Sequence, residues 1–322
     1  MIDRKFFVVD SQEANSTTYS AGNFREAGAI YALRMNTSRL NFTLVVALLC
    51  VSISESRAII LMGTSDPTAN TTAPIGSVAN SAWQYEGNWG VNLGTPIAPN
   101  YFITAQHIGG SVGNVFTFQG RSYTTTAEFL DPNTDLVIWK VSEPFPYYAQ
   151  LYTKSDEVGR GLVVIGRGTQ RGQEIDVKGK SRGWDWGSSD SIQRWGENVV
   201  SAIVSGGPDN EYVYATFDFQ KGNAKTSKNE AHLSSGDSGG GVFLNDGGIW
   251  KLAGINYAVD GPFFRSPADA GFNAALFDTR GLYYKDDCGN SILITGKSAV
   301  PTGFYSTRIS SRAAWIRSVI GP

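Results

Sequence analysis

The sequence predicts an all-β protein, on the basis of its composition and its pattern of apolar runs. Its 322 residues include 37 Gly, 17 Phe, 14 Tyr and 8 Trp but only 3 Met, which favours short strands and turns over long helices. Apolar runs such as Val115–Phe118, Leu136–Trp139 and Leu162–Ile165 are separated by Gly, Pro, Asn and Asp. No helical pattern of ten or more residues recurs between them. Strand runs at this density are typical of a β-sandwich or a β-barrel.

The N-terminal part of the chain has the features of a targeting segment. The most apolar run, residues 40–53, is too short to span about 30 Å of hydrocarbon comfortably as a helix. Basic residues precede it and small residues, including Ala58, follow it, as in a secretory signal with its cleavage site. We therefore predict a signal peptide over residues 35–58, with an uncleaved membrane anchor or a buried element of the fold as the alternatives. Residues 1–34 are then a polar extension, which is not translated if synthesis begins at Met35.

The strand-like runs of the remaining chain fall into two units of similar size, with a boundary near residue 155. The segment Glu143–Pro146 has the composition of a linker, and Ser310 and Ser311 are candidate N-caps of a final helix. The predicted parts are, in order, an extended arm (59–75), a first β-barrel unit (76–155), a second β-barrel unit (156–309) and a short C-terminal helix (310–322).

Charge and residue counts exclude several classes of function. The formal net charge of −2 argues against a protein that binds nucleic acid mainly through its phosphates. Two His and two Cys, with no CxxC or HExxH pattern, exclude most metal sites, and we expect no cofactor. A cleaved signal predicts a secreted or periplasmic protein without stable membrane association. Since Cys50 leaves with the signal, Cys288 has no partner for an intramolecular disulfide.

The sharpest local motif is the segment Gly236–Gly241, in which Ser238 stands among glycines. Glycines admit unusual backbone angles and let a substrate carbonyl approach closely, which suits a nucleophile on a tight turn. The N–H groups of Gly236 and Ser238 are candidates for an oxyanion hole. The alternative is an ordinary turn of a β protein.

A serine nucleophile needs a base and a group that orients the base. His107 ends the apolar run Phe102–Ala105, and Asp135 directly precedes the run that begins at Leu136; Asp131 is the rival carboxylate. No His follows Ser238, which excludes the order of the α/β-hydrolases, and no good carboxylate precedes His107, which disfavours the order of the subtilisins. The order His107, Asp135, Ser238 is left.

These segments together resemble the chymotrypsin/trypsin-like serine peptidases of the secreted bacterial type. Thr104–His107 is similar to the T-A-A-H block of that family, Asn133–Ile138 to its N-x-D-[IL]-A-L block, and Gly236–Gly240 matches G-D-S-G-G. Val163–Gly168 resembles the strand that opens the second barrel, and Phe304–Ile309 the closing strand. The resemblance covers the chain from about residue 75 onward. It implies two packed six-stranded antiparallel β-barrels with the site in the cleft between them.

The resemblance also implies roles for residues around the nucleophile. In the family, a newly cut N-terminus pairs with the Asp before the nucleophile and orders the oxyanion hole; here that Asp is Asp237, and cleavage after Ala58 would supply the amine of Ile59. The alternative is a hole that needs no new N-terminus, with Asp237 bonded locally. The specificity pocket would involve His232, Tyr257 and Val259, with an exposed histidine of a loop as the alternative for His232. Family members often have a Ser at the place of Tyr257 and a Gly at the place of Val259, so both the support of Asp135 and the pocket wall differ here.

The function that these observations predict is that of a secreted serine endopeptidase, with His107, Asp135 and Ser238 as the catalytic residues. Its partner would be a polypeptide substrate, and the protein would act as a monomer. The alternative is a binding module that keeps the peptidase fold but has an occluded or misaligned cleft. A lectin-type β protein in which the Gly-Asp-Ser-Gly turn is coincidental is a further alternative.

Overall fold

The structure is a computed structural model that describes residues 6–8, 59–218 and 228–321. The predicted signal peptide (35–58) lies outside the described residues, and so does the predicted extension (1–34) apart from strand β1 (Phe6–Val8). β1 pairs in antiparallel fashion with residues 258–260. The described chain resumes with the two-residue strand β2 (Ile60–Leu61). Among the described residues, no helix combines the length and the apolar character that crossing a bilayer requires.

Six strands in the first half close into an antiparallel barrel, and this confirms the all-β class. They pair in the order β3-β4-β5-β8-β7-β6. Their bounds are β3 (Gly87–Trp89), β4 (Asn92–Ala98), β5 (Tyr101–Ala105), β6 (Val115–Phe118), β7 (Arg121–Leu130) and β8 (Leu136–Val141). Short 3-10 turns lie at Gly76–Val78, Trp83–Tyr85 and Gln106–Ile108. Aromatic rings fill the interior, with Trp89, Phe102, Phe116, Phe118 and Trp139 in one buried cluster.

The second half is also built from antiparallel strands and ends in the short C-terminal helix α1 (Ile309–Ile320). Its strands are β9 (Gly161–Gly166), β10 (Thr169–Asp176), β11 (Ser181–Ser189), β12 (Arg194–Val199), β13 (Ala202–Gly207), β14 (Asn210–Thr216), β15 (Ala231–His232), β16 (Gly241–Asp246), β17 (Ile249–Asp260), β18 (Ala274–Leu276), β19 (Tyr283–Lys285), β20 (Ser291–Leu293) and β21 (Gly303–Arg308). The main sheet has the order β12-β9-β16-β17-β21-β14-β13, with β1 on β17. Smaller sheets are formed by β10-β11-β18, by β15-β2 and by β19-β20.

This main sheet differs from the second six-stranded barrel that the resemblance implies, because its hydrogen-bond ladder does not close in the described part of the chain. The end strands β12 and β13 follow each other in sequence with only Val200 and Ser201 between them. β13 pairs with β14 and forms the end of the sheet. In a closed six-stranded barrel, β12 would pair with β14 instead. The side-chain amide of Asn198 spans this gap and donates to the carbonyl oxygens of Thr216 (2.9 Å) and Ala231 (3.0 Å).

One apolar cluster joins the two halves and the helix. It combines Leu93, Ile103, Ala105, Leu136 and Ile138 of the barrel with Val163, Ile165, Phe243, Leu252 and Ile255 of the sheet and Ile309 and Ile316 of α1. Burial of such side chains stabilises each by about 1.5–3 kcal/mol relative to leaving it exposed. Because Ala105 and Leu136 belong to this cluster, the ends of β5 and β8 are fixed where the barrel meets the sheet.

Candidate active site

The pairing of β5 with β8 brings His107 and Asp135 together, although 28 residues separate them in sequence. Ala105 is paired with Leu136 at the ends of these strands. The chain then turns at Gln106–Ile108, and the N–H of His107 donates to Asp135 Oδ1 at 3.0 Å. The N–H of Gln106 donates to the Asp135 carbonyl oxygen at 2.6 Å. Both the backbone and the carboxylate of Asp135 are thereby fixed beside the imidazole.

A carboxylate, an imidazole and a hydroxyl form a continuous hydrogen-bonded array. His107 Nδ1 lies 2.5 Å from Asp135 Oδ2, and His107 Nε2 lies 2.8 Å from Ser238 Oγ. The carboxylate accepts from Nδ1–H, which leaves Nε2 as the acceptor for the hydroxyl proton. The side chains of His107 and Asp135 are each 15 % exposed. An array of this geometry can take a proton from the serine hydroxyl and turn the oxygen into a nucleophile.

Glycines shape the turn that carries Ser238. Gly236 and Gly239 have φ angles of 90° and 80°, a region that glycine adopts without strain. A Cβ at Gly239 would also overlap with Thr104 Oγ1 and the Leu93 carbonyl oxygen of the barrel. Glycine at this position therefore allows the turn to pack directly against the first half of the protein.

The backbone N–H groups of Gly236 and Ser238 are buried in the turn that carries the Ser238 hydroxyl. In the described part of the chain neither N–H donates a hydrogen bond to another protein group. Both residues are buried, and a buried N–H without an acceptor is costly unless a ligand or water accepts from it. The two N–H groups lie in the same turn as the Ser238 hydroxyl, which keeps them the candidates for an oxyanion hole.

Two asparagines that sequence reasoning missed hold the turn in place. Asn92 Nδ2 donates from the barrel to the carbonyl oxygens of Gly236 (3.3 Å) and Ser238 (3.4 Å). Asn256 Nδ2 donates to the carbonyl oxygens of Ile165 (2.9 Å) and Asp237 (3.0 Å). Neither asparagine stands in a motif, so no sequence signal could have found them.

Asp237, which precedes Ser238 in the turn, is fully buried. Its Oδ1 accepts from the N–H of Gly168 (2.8 Å), and its Oδ2 accepts from the N–H (2.8 Å) and the hydroxyl (3.0 Å) of Ser234. The N–H of Ile59 also donates to this carboxylate. Burial raises the pKa of Asp237 to about 7, against the opposing effect of these hydrogen bonds. The structure thus brings Ile59 and Asp237 into contact.

Asp131, the rival of Asp135, is bound elsewhere. Its two oxygens each lie 2.7 Å from the guanidinium of Arg312 on α1. The same carboxylate accepts from the N–H of Asn133 and the hydroxyl of Thr134. Asp131 therefore closes the turn that leads into Asp135, and it has no contact with His107.

The three residues predicted to form a specificity pocket have different surroundings. His232 is fully buried, with Nδ1 2.7 Å from the Leu233 carbonyl oxygen and Nε2 3.2 Å from Thr302 Oγ1. Burial lowers the pKa of His232 to about 4, so the ring is neutral at neutral pH. Val259 lies in a buried apolar cluster. Of the three, only Tyr257 contacts the array, with its ring centroid 5.9 Å from that of His107.

Neither a metal site nor a known relative adds to the assignment of a function to these residues. Among residues 59–218 and 228–321, no group of three or more His, Cys, Asp or Glu side chains is arranged to hold a metal ion. Neither the models of known protein families nor the curated protein sequences match this chain. The geometry of the residues described above is therefore the basis for assigning a function to this chain.

Proposed function

We propose that the protein is a serine endopeptidase that cleaves peptide bonds through an acyl-enzyme intermediate. The observation that carries this proposal is the array in which Ser238 Oγ lies 2.8 Å from His107 Nε2 and Asp135 Oδ2 lies 2.5 Å from His107 Nδ1. Ser238 is 131 residues from His107 in sequence. Three polar side chains from distant segments meet at distances that suit proton transfer.

The proposed reaction uses only groups of this chain and the substrate. Ser238 Oγ attacks the scissile carbonyl carbon while His107 Nε2 takes the hydroxyl proton. The carboxylate of Asp135 stabilises the imidazolium that forms, and the N–H groups of Gly236 and Ser238 donate to the developing oxyanion. His107 then gives the proton to the leaving amine nitrogen. A water molecule, activated by the same imidazole, hydrolyses the ester and releases Ser238.

A cavity lined in part by the residues that follow His107 is the proposed site for part of a polypeptide substrate. It has a volume of about 380 Å³, and its lining residues are Trp89–Asn92, Ile108–Gly110, Asn114 and Val115. Ile108 and Gly109 follow His107 in sequence, and we propose that this cavity receives the leaving-group part of the polypeptide. We further propose, from the apolar run at residues 40–53, that the mature protein acts outside the cytoplasm.

Cleavage after Ala58 is the proposed activation step. Ile59 has a φ angle of 53°, which is strained for a β-branched residue, and cutting the preceding peptide bond removes that constraint. The cut also converts the backbone N–H of Ile59, which donates a hydrogen bond to the Asp237 carboxylate, into an ammonium group. A positive charge beside this buried carboxylate favours its ionised form. The ion pair would fix the turn that presents the N–H groups of Gly236 and Ser238.

One observation favours a second candidate function. Ser238 is 0 % exposed, so a substrate reaches its hydroxyl only after another group moves. A binding module that retains the array but never opens it would have this feature. The two candidates differ in whether the hydroxyl reacts with an electrophile.

Labelling with a fluorophosphonate probe tests the proposal, because the probe modifies only a serine whose hydroxyl is activated. The full chain and a chain that begins at Ile59 are labelled and assayed with a denatured protein substrate. We expect labelling of the processed chain, and we expect Ser238→Ala to lower turnover on the order of 10⁶-fold, as the loss of the serine nucleophile does in subtilisin. Ser235→Ala, in the same segment, is the control that should retain labelling. Absence of labelling in both chains would overturn the peptidase proposal in favour of the binding module.

A further inference from the structure

Tyr257 contacts the imidazole of the candidate array from β17. Its ring makes an edge-to-face contact with the ring of His107, with centroids 5.9 Å apart and planes at 70°. The pairing of β17 with β21 is irregular between Asn256 and Ala258. A bulge of this kind changes the direction of a side chain relative to the regular alternation along a strand. The irregularity therefore lies at the residue whose ring is turned toward His107.

A second tyrosine holds the ring of Tyr257 in place. Tyr212 of β14 stacks on it with ring centroids 5.1 Å apart and planes at 8°. The two hydroxyl groups are hydrogen-bonded to each other, and Asn210 Nδ2 donates to the hydroxyl of Tyr212 at 3.0 Å. Stacked rings whose polar ends are also bonded have little freedom to rotate. Tyr257 thus forms a fixed surface beside the array.

The tyrosine pair remains neutral in this position. Burial, with the charge of Asp135 as a further cause, raises the pKa of both Tyr212 and Tyr257 above the usual value of a phenol. Neither hydroxyl ionises at any pH at which a peptidase works. The contribution of Tyr257 to the array therefore comes from its ring and from the exclusion of water.

We propose that Tyr257 is a positioning residue that keeps the imidazole of His107 in the orientation that the reaction needs; this inference rests on the proposed function. Hydrogen bonds at Nδ1 and Nε2 and the covalent bond to Cβ hold the ring but leave small torsional motions about Cα–Cβ and Cβ–Cγ. The ring of Tyr257 limits these motions on one side of the imidazole. With Tyr212 it also keeps water from one side of Asp135, and a lower local dielectric strengthens the interaction of the carboxylate with the imidazolium. At position 257 the tyrosine ring thus acts by packing against the imidazole, whereas a serine at this position would act through a hydrogen bond of its hydroxyl group.

Substitutions at Tyr257 test this role. Tyr257→Leu removes the ring but keeps much of its apolar volume, and we expect kcat to fall about a hundredfold, as misplacement of a catalytic group by about 1 Å does. KM should change by less than about threefold, because the substrate still binds. Tyr257→Phe restores the ring without the hydroxyl and should recover most of the lost rate.

A matched control separates positioning from stability. Tyr305 packs on Tyr212 and donates to Asp260 Oδ1 at 2.7 Å, but it makes no ring contact with His107 in the described residues. Tyr305→Leu should therefore lower the unfolding temperature while the folded fraction keeps its kcat. A purely structural role for Tyr257 would make Tyr257→Leu behave in the same way.

A spectroscopic readout reports on the array itself. The proton between His107 Nδ1 and Asp135 gives a far-downfield ¹H NMR signal when the hydrogen bond is ordered and shielded from water. We expect Tyr257→Leu to broaden or remove this signal and Tyr257→Phe to retain it. A folded Tyr257→Leu variant with wild-type kcat and an unchanged signal would overturn the proposal. That outcome differs from failure of the proposed function, in which the wild-type protein itself is not labelled by a fluorophosphonate.

Discussion

Removing the guanidinium of Arg312 tests how strongly the C-terminal helix holds the loop before Asp135. Arg312 and Asp131 form a bidentate pair with both N–O distances at 2.7 Å. Their side chains are 9 % and 0 % exposed. Arg312→Met keeps much of the aliphatic stem but leaves the carboxylate of Asp131 buried without its counter-charge. The perturbation is therefore the loss of one charge from a desolvated pair.

The expected cost follows from that burial. Breaking a buried ion pair by removing one partner destabilises a protein by about 3–5 kcal/mol, because the remaining charge stays in a medium of low dielectric. The exposed Arg317 lies on the same helix, and Arg317→Met should change the unfolding free energy by less than about 0.5 kcal/mol. Adding Asp131→Asn to Arg312→Met removes the orphaned charge and should restore about 2 kcal/mol of the loss.

Urea unfolding at neutral pH gives these differences by linear extrapolation. The labelling rate with a fluorophosphonate, measured on the folded protein, should fall with Arg312→Met as well, since Asp131 closes the turn that fixes Asp135. If Arg312→Met costs no more than Arg317→Met, the ion pair does not stabilise the loop. If the double variant with Asp131→Asn and Arg312→Met is less stable than Arg312→Met alone, the unpaired charge of Asp131 is not the cause of the lost stability.

Two further predictions concern pH. Burial holds the pKa of Asp237 at about 7, above its ordinary 3.8, so the folded intact chain binds a proton more tightly than the unfolded chain and loses stability as pH rises from about 4 to about 7. In a chain that begins at Ile59, the ammonium of Ile59 should remove this loss of stability; in a chain that begins at Ala58 the loss should remain. Melting temperatures of the two chains at about pH 5 and pH 8 check this. Equal pH dependence in both chains would contradict the proposed pairing. Burial likewise raises the pKa of Glu86 from 4.5 to about 8. Glu86→Gln should therefore reduce the fall in unfolding free energy between about pH 5 and pH 9, as measured with urea. If the dependence of the unfolding free energy on pH is unchanged, Glu86 does not titrate in this range.

Local sequence signals predict the strands and the all-β class well. The runs Val115–Phe118, Leu136–Trp139 and Leu162–Ile165 lie in β6, β8 and β9, because β-branched and aromatic residues between turn residues specify a strand within a few positions. The approach of His107, Asp135 and Ser238 to one another could also be predicted, since each stands in a short motif at the end of a strand or in a turn. These features depend on neighbours in sequence.

The features that could not be predicted depend on contacts between distant segments. Asn92 lies 146 residues from Ser238, and only the packing of barrel against sheet brings its amide to the turn. The burial of His232 could not be predicted either, because it depends on the pairing of this residue with Ile60 of β2. The open ladder between β12 and β13 likewise depends on which strands become neighbours. Strand pairing is non-local, and the periodicity of one strand does not specify its partner.

The amide of Asn92 has a consequence for how the molecule can admit a ligand. It reaches from the barrel to two carbonyl groups of the serine turn, and Gly239 packs in the same place against Thr104 and Leu93. Hinge opening between the two halves would break these contacts and release the turn that carries Ser238. We therefore expect a ligand to reach Ser238 through rotamer changes or loop displacement at the rim, with the two halves still in contact.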